Sequence, residues 1–172
     1  LNPSSAASDV YKRQMLFGIS NCSSHSRGRV QIKSNNPLDH PVIEPNYLSN
    51  KEDLRNLLEG VKVLRKLAKT NSFREVIGEE FRPGPQCQTD EQMIKHIKDT
   101  VWTVFHPSST CKMGPNTKNN VVDSSLKVHG IECLRVADAS IFPQLVCGNI
   151  NAATIMVGEK ASDLILQDKV NI

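Results

Sequence analysis

His106-Pro107-Ser108-Ser109-Thr110-Cys111-Lys112-Met113-Gly114 is answered further along the chain by Asn149-Ile150-Asn151-Ala152-Ala153. The first stretch sets a titratable imidazole in a tight Pro/Gly/Ser loop. The second sets amide side chains just ahead of a helical pattern. Histidine is the usual proton acceptor near neutral pH. Pro107 and Gly114 fix a non-repetitive backbone around it, and Ser108, Ser109 and Thr110 supply short polar groups for close turns. A His and an Asn brought to one spot by a fold can hold a hydroxyl and take its proton. His106 and Asn149 are therefore the first candidates for chemistry, whereas His25, His40, His96 and His129 lack such a setting and read as structural or solvent-facing.

Working outward, Cys133 to Ala137 reads as a buried strand that ends at Asp138. Ligands in open α/β sheets bind beyond the carboxyl ends of strands, and the small residues Ala139 and Ser140 would let a flat ligand approach the backbone. An Asx turn that merely ends the strand explains Asp138 equally well. After Asn149 and Asn151, the residues Ala153, Met156, Val157, Ala161 and Leu164 mark one face of a helix ending near Gln167. Either asparagine can serve as its N-cap. A helix N-terminus also stabilises an anion set before it, and Gly148 keeps that approach open. Between the two polar stretches, Asn116 to Asn120 is a polar turn, and Leu126, Val128 and Ile131 bracket Gly130 in a hairpin pattern.

Upstream, Arg29 to Lys33 alternates charged and β-branched residues, predicting a half-buried strand. Asn35 to Pro41 is a turn-rich loop leading to Val42-Ile43. Ser49-x-x-Glu52 has the form of a capping box, and Leu54, Leu57, Leu58, Val61, Leu64 and Ala68 then recur at helical spacing. Phe73, Val76 and Ile77 suggest a short further turn, broken by Arg82-Pro83-Gly84-Pro85. Thr89-x-x-Gln92 repeats the capping signature before Met93, Ile94, Ile97 and Val101, a helix expected to run to about Thr103. Residues 1–14 are polar and aperiodic, and Asp9 to Gln14 looks adapter-derived, so this segment is set aside as non-native.

The 172 residues carry 38% hydrophobic and 23% charged side chains, the balance of a globular chain. No apolar run is long enough to cross a bilayer. The net charge of +3 is small and its basic residues are dispersed, which predicts no nucleic-acid partner. The five cysteines form no CxxC pair and no Cys/His zinc spacing, so no metal site is expected.

Taken together, several short motifs in register resemble the C-terminal region of the glucose–methanol–choline (GMC) oxidoreductases. They are Ser26-Arg27-Gly28-Arg29-Val30, Pro45-Asn46-Tyr47, His106-Pro107-x-x-Thr110-Cys111-x-Met113-Gly114, Val122-Asp123, Leu134-Arg135-Val136-x-Asp138-Ala139-Ser140 and Gly148-Asn149-x-Asn151-Ala152. Gly148-Asn149 and Glu159 to Asp163 are most similar to the insect glucose dehydrogenase branch. The resemblance spans residues 26–168. It implies FAD as cofactor and an alcohol or sugar as small-molecule substrate, with the electron acceptor left open. His106 matches the base, and Asn149 matches a second position that is His in some members and Asn in others. Asp138 and Ala139 match a strand end that approaches FAD, while Asn149, Ile150, Asn151 and Ala152 match contacts near the isoalloxazine ring. A reduced flavin is an anion of the kind a helix N-terminus stabilises.

The implied reaction is removal of a hydroxyl proton by His106 with hydride transfer to the flavin. A hydroxysteroid substrate of the ecdysteroid type and a non-catalytic member of the fold are the alternatives. No GxGxxG occurs in the sequence, so the phosphate-binding turn for the ADP half of FAD is not in this chain. The expected fold is thus an α+β fragment. Residues 15–105 would form part of a substrate-binding domain, an antiparallel sheet with covering helices. Residues 106–172 would return as the C-terminal part of an α/β FAD-binding domain.

Overall fold

The computed structural model of the chain describes residues 14–170; the segment set aside as non-native, apart from Gln14, lies outside the described residues. Two strands, Arg29–Gln31 (β1) and Val42–Glu44 (β2), pair antiparallel with Val30 opposite Ile43. Helices Lys51–Ala68 (α1), Asn71–Arg74 (α2), Asp90–Thr100 (α3) and Asn151–Val170 (α4) follow, with a 3-10 turn at Ala139–Ile141. The chain divides into two compact units. One joins the segment ending at Asn21 to Leu54–Val101, and the other joins Cys22–Asp53 to the chain from Trp102 onward.

In the first unit the helical spacing does what it should. Leu58, Met93 and Ile97 are buried with Cys87, and Phe17 meets Phe73 edge to face at 5.7 Å. Thr89 and Gln92 form the expected reciprocal capping box, each side chain satisfying the other's backbone N–H. Arg65 ties the connection down: its guanidinium pairs with Glu80 and donates to the Cys87 carbonyl. Two boundaries differ from expectation. α3 stops at Thr100 because Val101 turns extended. α1 is capped by Asn50, not Ser49: the Asn50 Oδ1 accepts the Glu52 N–H at 2.9 Å. Asn and Ser cap about equally well, so two candidates one residue apart cannot be ranked from the sequence.

The second unit contains the ribbon, and here the half-buried strand is corrected. β1 covers only Arg29–Gln31, and every residue of both strands is exposed. Alternation marks two chemically different faces, but burial needs something packed on one of them. Gly28 is required next to the ribbon, since a Cβ there would collide with the Glu44 and Pro45 carbonyls.

The core of this unit is Val122, Leu126, Ile141, Phe142, Val157 and Ala161, with Ala153 and Leu164 of α4 packed against it. Met156 was expected on the same face but is 58% exposed. The spacing 153, 157, 161, 164 keeps one stripe, and Met156 lies about 100° off it. The hairpin pattern survives only as isolated bridges, Met113–Val122, Val122–Val128 and Lys127–Arg135. The expected buried strand over Cys133 to Ala137 is likewise corrected. Cys133 is left-handed (φ 59°), Leu134 is 46% exposed, and the segment bonds to Leu126 and Val128 on one side only. An apolar run with one paired edge and an uncovered face is no core strand.

Candidate active site

The His106 loop is built from both directions. Before it, Phe105 holds a left-handed backbone (φ 59°); after it, Pro107 fixes its own φ. From Ser109 the chain settles into a register. The N–H groups of Ser109, Cys111 and Met113 donate in turn to the carbonyls of Ala139, Ser140 and Ile141. The far end is fastened by Gly114, whose N–H donates to Val122 and whose carbonyl accepts from His129 Nε2 at 2.9 Å. His129 is therefore structural, as its setting predicted. A Cβ at Gly114 would lie 2.6 Å from the Asn120 amide, so a side chain there would have to displace Asn120.

This register sets Ala139 alongside Ser109, three residues from the imidazole. Asp138 is exposed, and its Oδ1 accepts the Ser140 N–H at 2.8 Å to cap the 3-10 turn. The Asx-turn reading is what its side chain does. Its other oxygen has no hydrogen-bond partner among the described residues. Beyond Phe142 the chain passes Gly148 (φ 140°) and delivers Asn149. His106 Nε2 and Asn149 Oδ1 lie 3.1 Å apart, joining positions 43 residues distant in sequence. His106 is half-buried and Asn149 exposed, so the pair is anchored on one side and open on the other.

α4 begins immediately afterwards. Asn149 was one of two expected N-caps, but its side chain turns to His106. Asn151, the other, is already the first helical residue. The Ile150 carbonyl accepts both the backbone N–H and the hydroxyl of Thr154, at 2.9 and 2.8 Å. Its side chain packs against the core, so any role of Ile150 at the site falls to its main chain. Asn151 and Ala152 are exposed in the first turn, where helix N–H groups lack intrahelical acceptors. The structure thus groups His106, Asn149 and the start of α4 directly. It brings Ala139 beside the loop by way of Ser109.

Two features escaped the sequence reading. Asp53, in the first turn of α1, is 1% exposed. Its carboxylate accepts the N–H groups of His25 and Ser26, each at 2.7 Å, the Ser24 hydroxyl at 2.8 Å and the Ser26 hydroxyl. Burial pushes its pKa up, but these donors outweigh burial and hold the carboxyl far below the usual range. Beside this anchored segment, the Ser23 hydroxyl lies 3.6 Å from the Cys147 sulfur, two residues before Asn149. A signal for Asp53 exists in retrospect: with Leu57, Val61 and Leu64 it shares the apolar stripe of α1. The second feature is the turn before His106, where Phe105 holds a left-handed backbone.

Comparison with known proteins agrees with the motifs. Residues 24–158 match the GMC oxidoreductase family, and this chain belongs to it. It is 45% identical over 142 residues to an oxygen-dependent choline dehydrogenase of Escherichia coli, covering 83% of this chain and 25% of that protein. Among solved structures it is similar to a formate oxidase of Aspergillus oryzae (TM-score 0.78, 33% identity, 84% of this chain and 25% of that one). A fungal aryl-alcohol oxidase is comparable (TM-score 0.76, 33% identity, 87% and 25%). The chain therefore spans about a quarter of the length of the relatives it matches. Its fold, a small antiparallel sheet with helices, is a fragment of theirs.

Proposed function

We propose that this chain supplies the substrate-facing wall of an FAD-dependent oxidoreductase acting on a small alcohol-type substrate. Residues 106–172 would carry the reacting wall, and residues 15–105 would contribute to the substrate-binding part. The supporting observation is the 3.1 Å contact between His106 Nε2 and Asn149 Oδ1. A hydroxyl entering between these side chains gives its proton to Nε2 and takes a hydrogen bond from Asn149 Nδ2. In the direct contact Nε2 donates to the amide oxygen. For catalysis the amide turns over to present Nδ2 and the imidazole carries its proton on Nδ1, so that Nε2 is free to accept and substrate replaces the direct contact. Holding the hydroxyl and removing its proton contribute separately to the acceleration. Asn149 has no titrating group, so of the two residues His106 is the base.

The residues beside the pair suit a flavin ring. Asn151 and Ala152 present the exposed first turn of α4, whose free N–H groups and partial positive charge favour an anionic pyrimidine end. Gly148 has open space where a side chain would stand, and Ala139 is small. Asp138, Ala139, Asn149, Ile150, Asn151 and Ala152 would hold that end of FAD. When bound, FAD supplies the hydride acceptor. The choline, formate and aryl-alcohol activities of the relatives favour small substrates, and no observation favours a steroid.

The test is flavin bleaching by substrate under anaerobic conditions in the full-length enzyme. His106→Ala is expected to slow bleaching by about 10²–10⁴-fold while FAD stays bound. Asn149→Ala should slow it less, by roughly tenfold or more, the share of positioning alone. Unchanged bleaching in His106→Ala removes histidine from the base role.

A further inference from the structure

We infer that Thr103 is a positioning residue for His106. The inference concerns the site proposed above and rests on that reading for its catalytic consequence. Phe105 has φ 59°, a conformation that a bulky side chain adopts at a cost and that Gly or Asn adopts readily. Such strain persists only where neighbouring structure fixes it. What fixes it here is small. The Phe105 N–H donates to Thr103 Oγ1 at 3.0 Å. Among the described residues, this is the only hydrogen bond made by the backbone from Trp102 to Ser108. Register with a neighbouring segment begins only at Ser109.

Side-chain packing does not replace that hydrogen bond. Trp102 is 72% and Phe105 75% exposed, and neither belongs to the core cluster. Thr103 is half-buried. The hydroxyl therefore closes the turn that reverses the chain at Phe105, sending the phenyl ring outward and the next side chain, His106, toward Asn149. Loss of the hydroxyl releases Phe105 to the extended region. His106 then moves away from Asn149, while the loop beyond Ser109 keeps its register.

The test uses the full-length FAD-loaded enzyme and has two readouts. The first is carbethoxylation of His106 by diethyl pyrocarbonate without substrate, followed by peptide mass spectrometry. It reports whether Nε2 is engaged and does not depend on the imidazole being the base. Thr103→Val keeps the shape and removes the acceptor; it should raise the His106 modification rate several-fold, toward that of Asn149→Ala. Thr103→Ser keeps the acceptor and should match the unaltered protein. The second is the rate of anaerobic flavin bleaching, which Thr103→Val should lower at least tenfold and Thr103→Ser should restore.

A purely structural threonine would give the same loss whatever stands at position 105. If Thr103 acts by holding the left-handed turn, the effect of Thr103→Val must shrink in a Phe105→Asn background, because Asn favours that conformation unaided. Unchanged His106 modification in Thr103→Val, or an undiminished effect beside Phe105→Asn, overturns the inference. Failure of the base reading shows separately, as retained bleaching in His106→Ala, and leaves the modification readout valid.

Discussion

Asp53 replaces an ordinary first-turn helix acid with a buried anchor. Two backbone N–H groups and two serine hydroxyls converge on its carboxylate, which draws Ser24 to Ser26 onto the start of α1. Hydrogen bonds to a charged group contribute about 1.5–3 kcal/mol each, and an unpaired buried partner costs a similar amount. Asp53→Asn turns an acceptor of four donors into a group that must itself donate, so we expect a loss of roughly 3 kcal/mol at neutral pH. The pH dependence has a definite sign. The folded carboxyl titrates well below its unfolded value of about 3.9, so its stabilisation is complete above that value. It is lost progressively as pH falls below about 4 toward the folded pKa. Urea midpoints of the two proteins should lie apart at pH 7 and converge below pH 4. A gap that is constant with pH would mean that the carboxylate's charge contributes nothing.

Among the elements, α3 carries a complete reciprocal capping box at its start. Thr89 and Gln92 satisfy each other across one turn, and Thr89→Ala should cost about 1 kcal/mol, read as a lower urea midpoint. A drop below a few tenths of a kilocalorie would mean that water replaces the cap. Locality also explains what could be read ahead of the structure. The α3 box, the apolar stripe of α1 and the core stripe of α4 at Ala153, Val157, Ala161 and Leu164 depend on residues within a few turns, and all are observed. The buried strand over Cys133 to Ala137 required a covering layer, which no local pattern can report. The His106 loop and Asn149 were separately legible as polar spots before or between elements. Their meeting was carried by motif resemblance alone, since nothing local sets a contact across 43 residues. Phe105 had no signal at all, because a left-handed aromatic is what propensity argues against.

At the scale of the whole molecule, much apolar surface is uncovered. On α4 alone, Ile155, Met156, Ile165 and Leu166 are exposed, outside the stripe that packs on Phe142 and Val122. Val30, Ile32 and Ile43 of the ribbon region are exposed as well. Scattered single residues of this kind are normal, but contiguous apolar faces mark surfaces that bind something. The chain also spans only about a quarter of its relatives and contains no GxGxxG turn. A flavin at the start of α4 would be held here by one end only, with no phosphate-binding turn for its pyrophosphate. Produced by itself, the chain is therefore expected to self-associate and to lose FAD on gel filtration. Size-exclusion chromatography with absorbance at the flavin band checks both: the protein should elute ahead of its monomer volume, and the colour should elute with the small molecules. A monomeric peak carrying stoichiometric flavin would show that the α4 end of the site suffices to bind the cofactor.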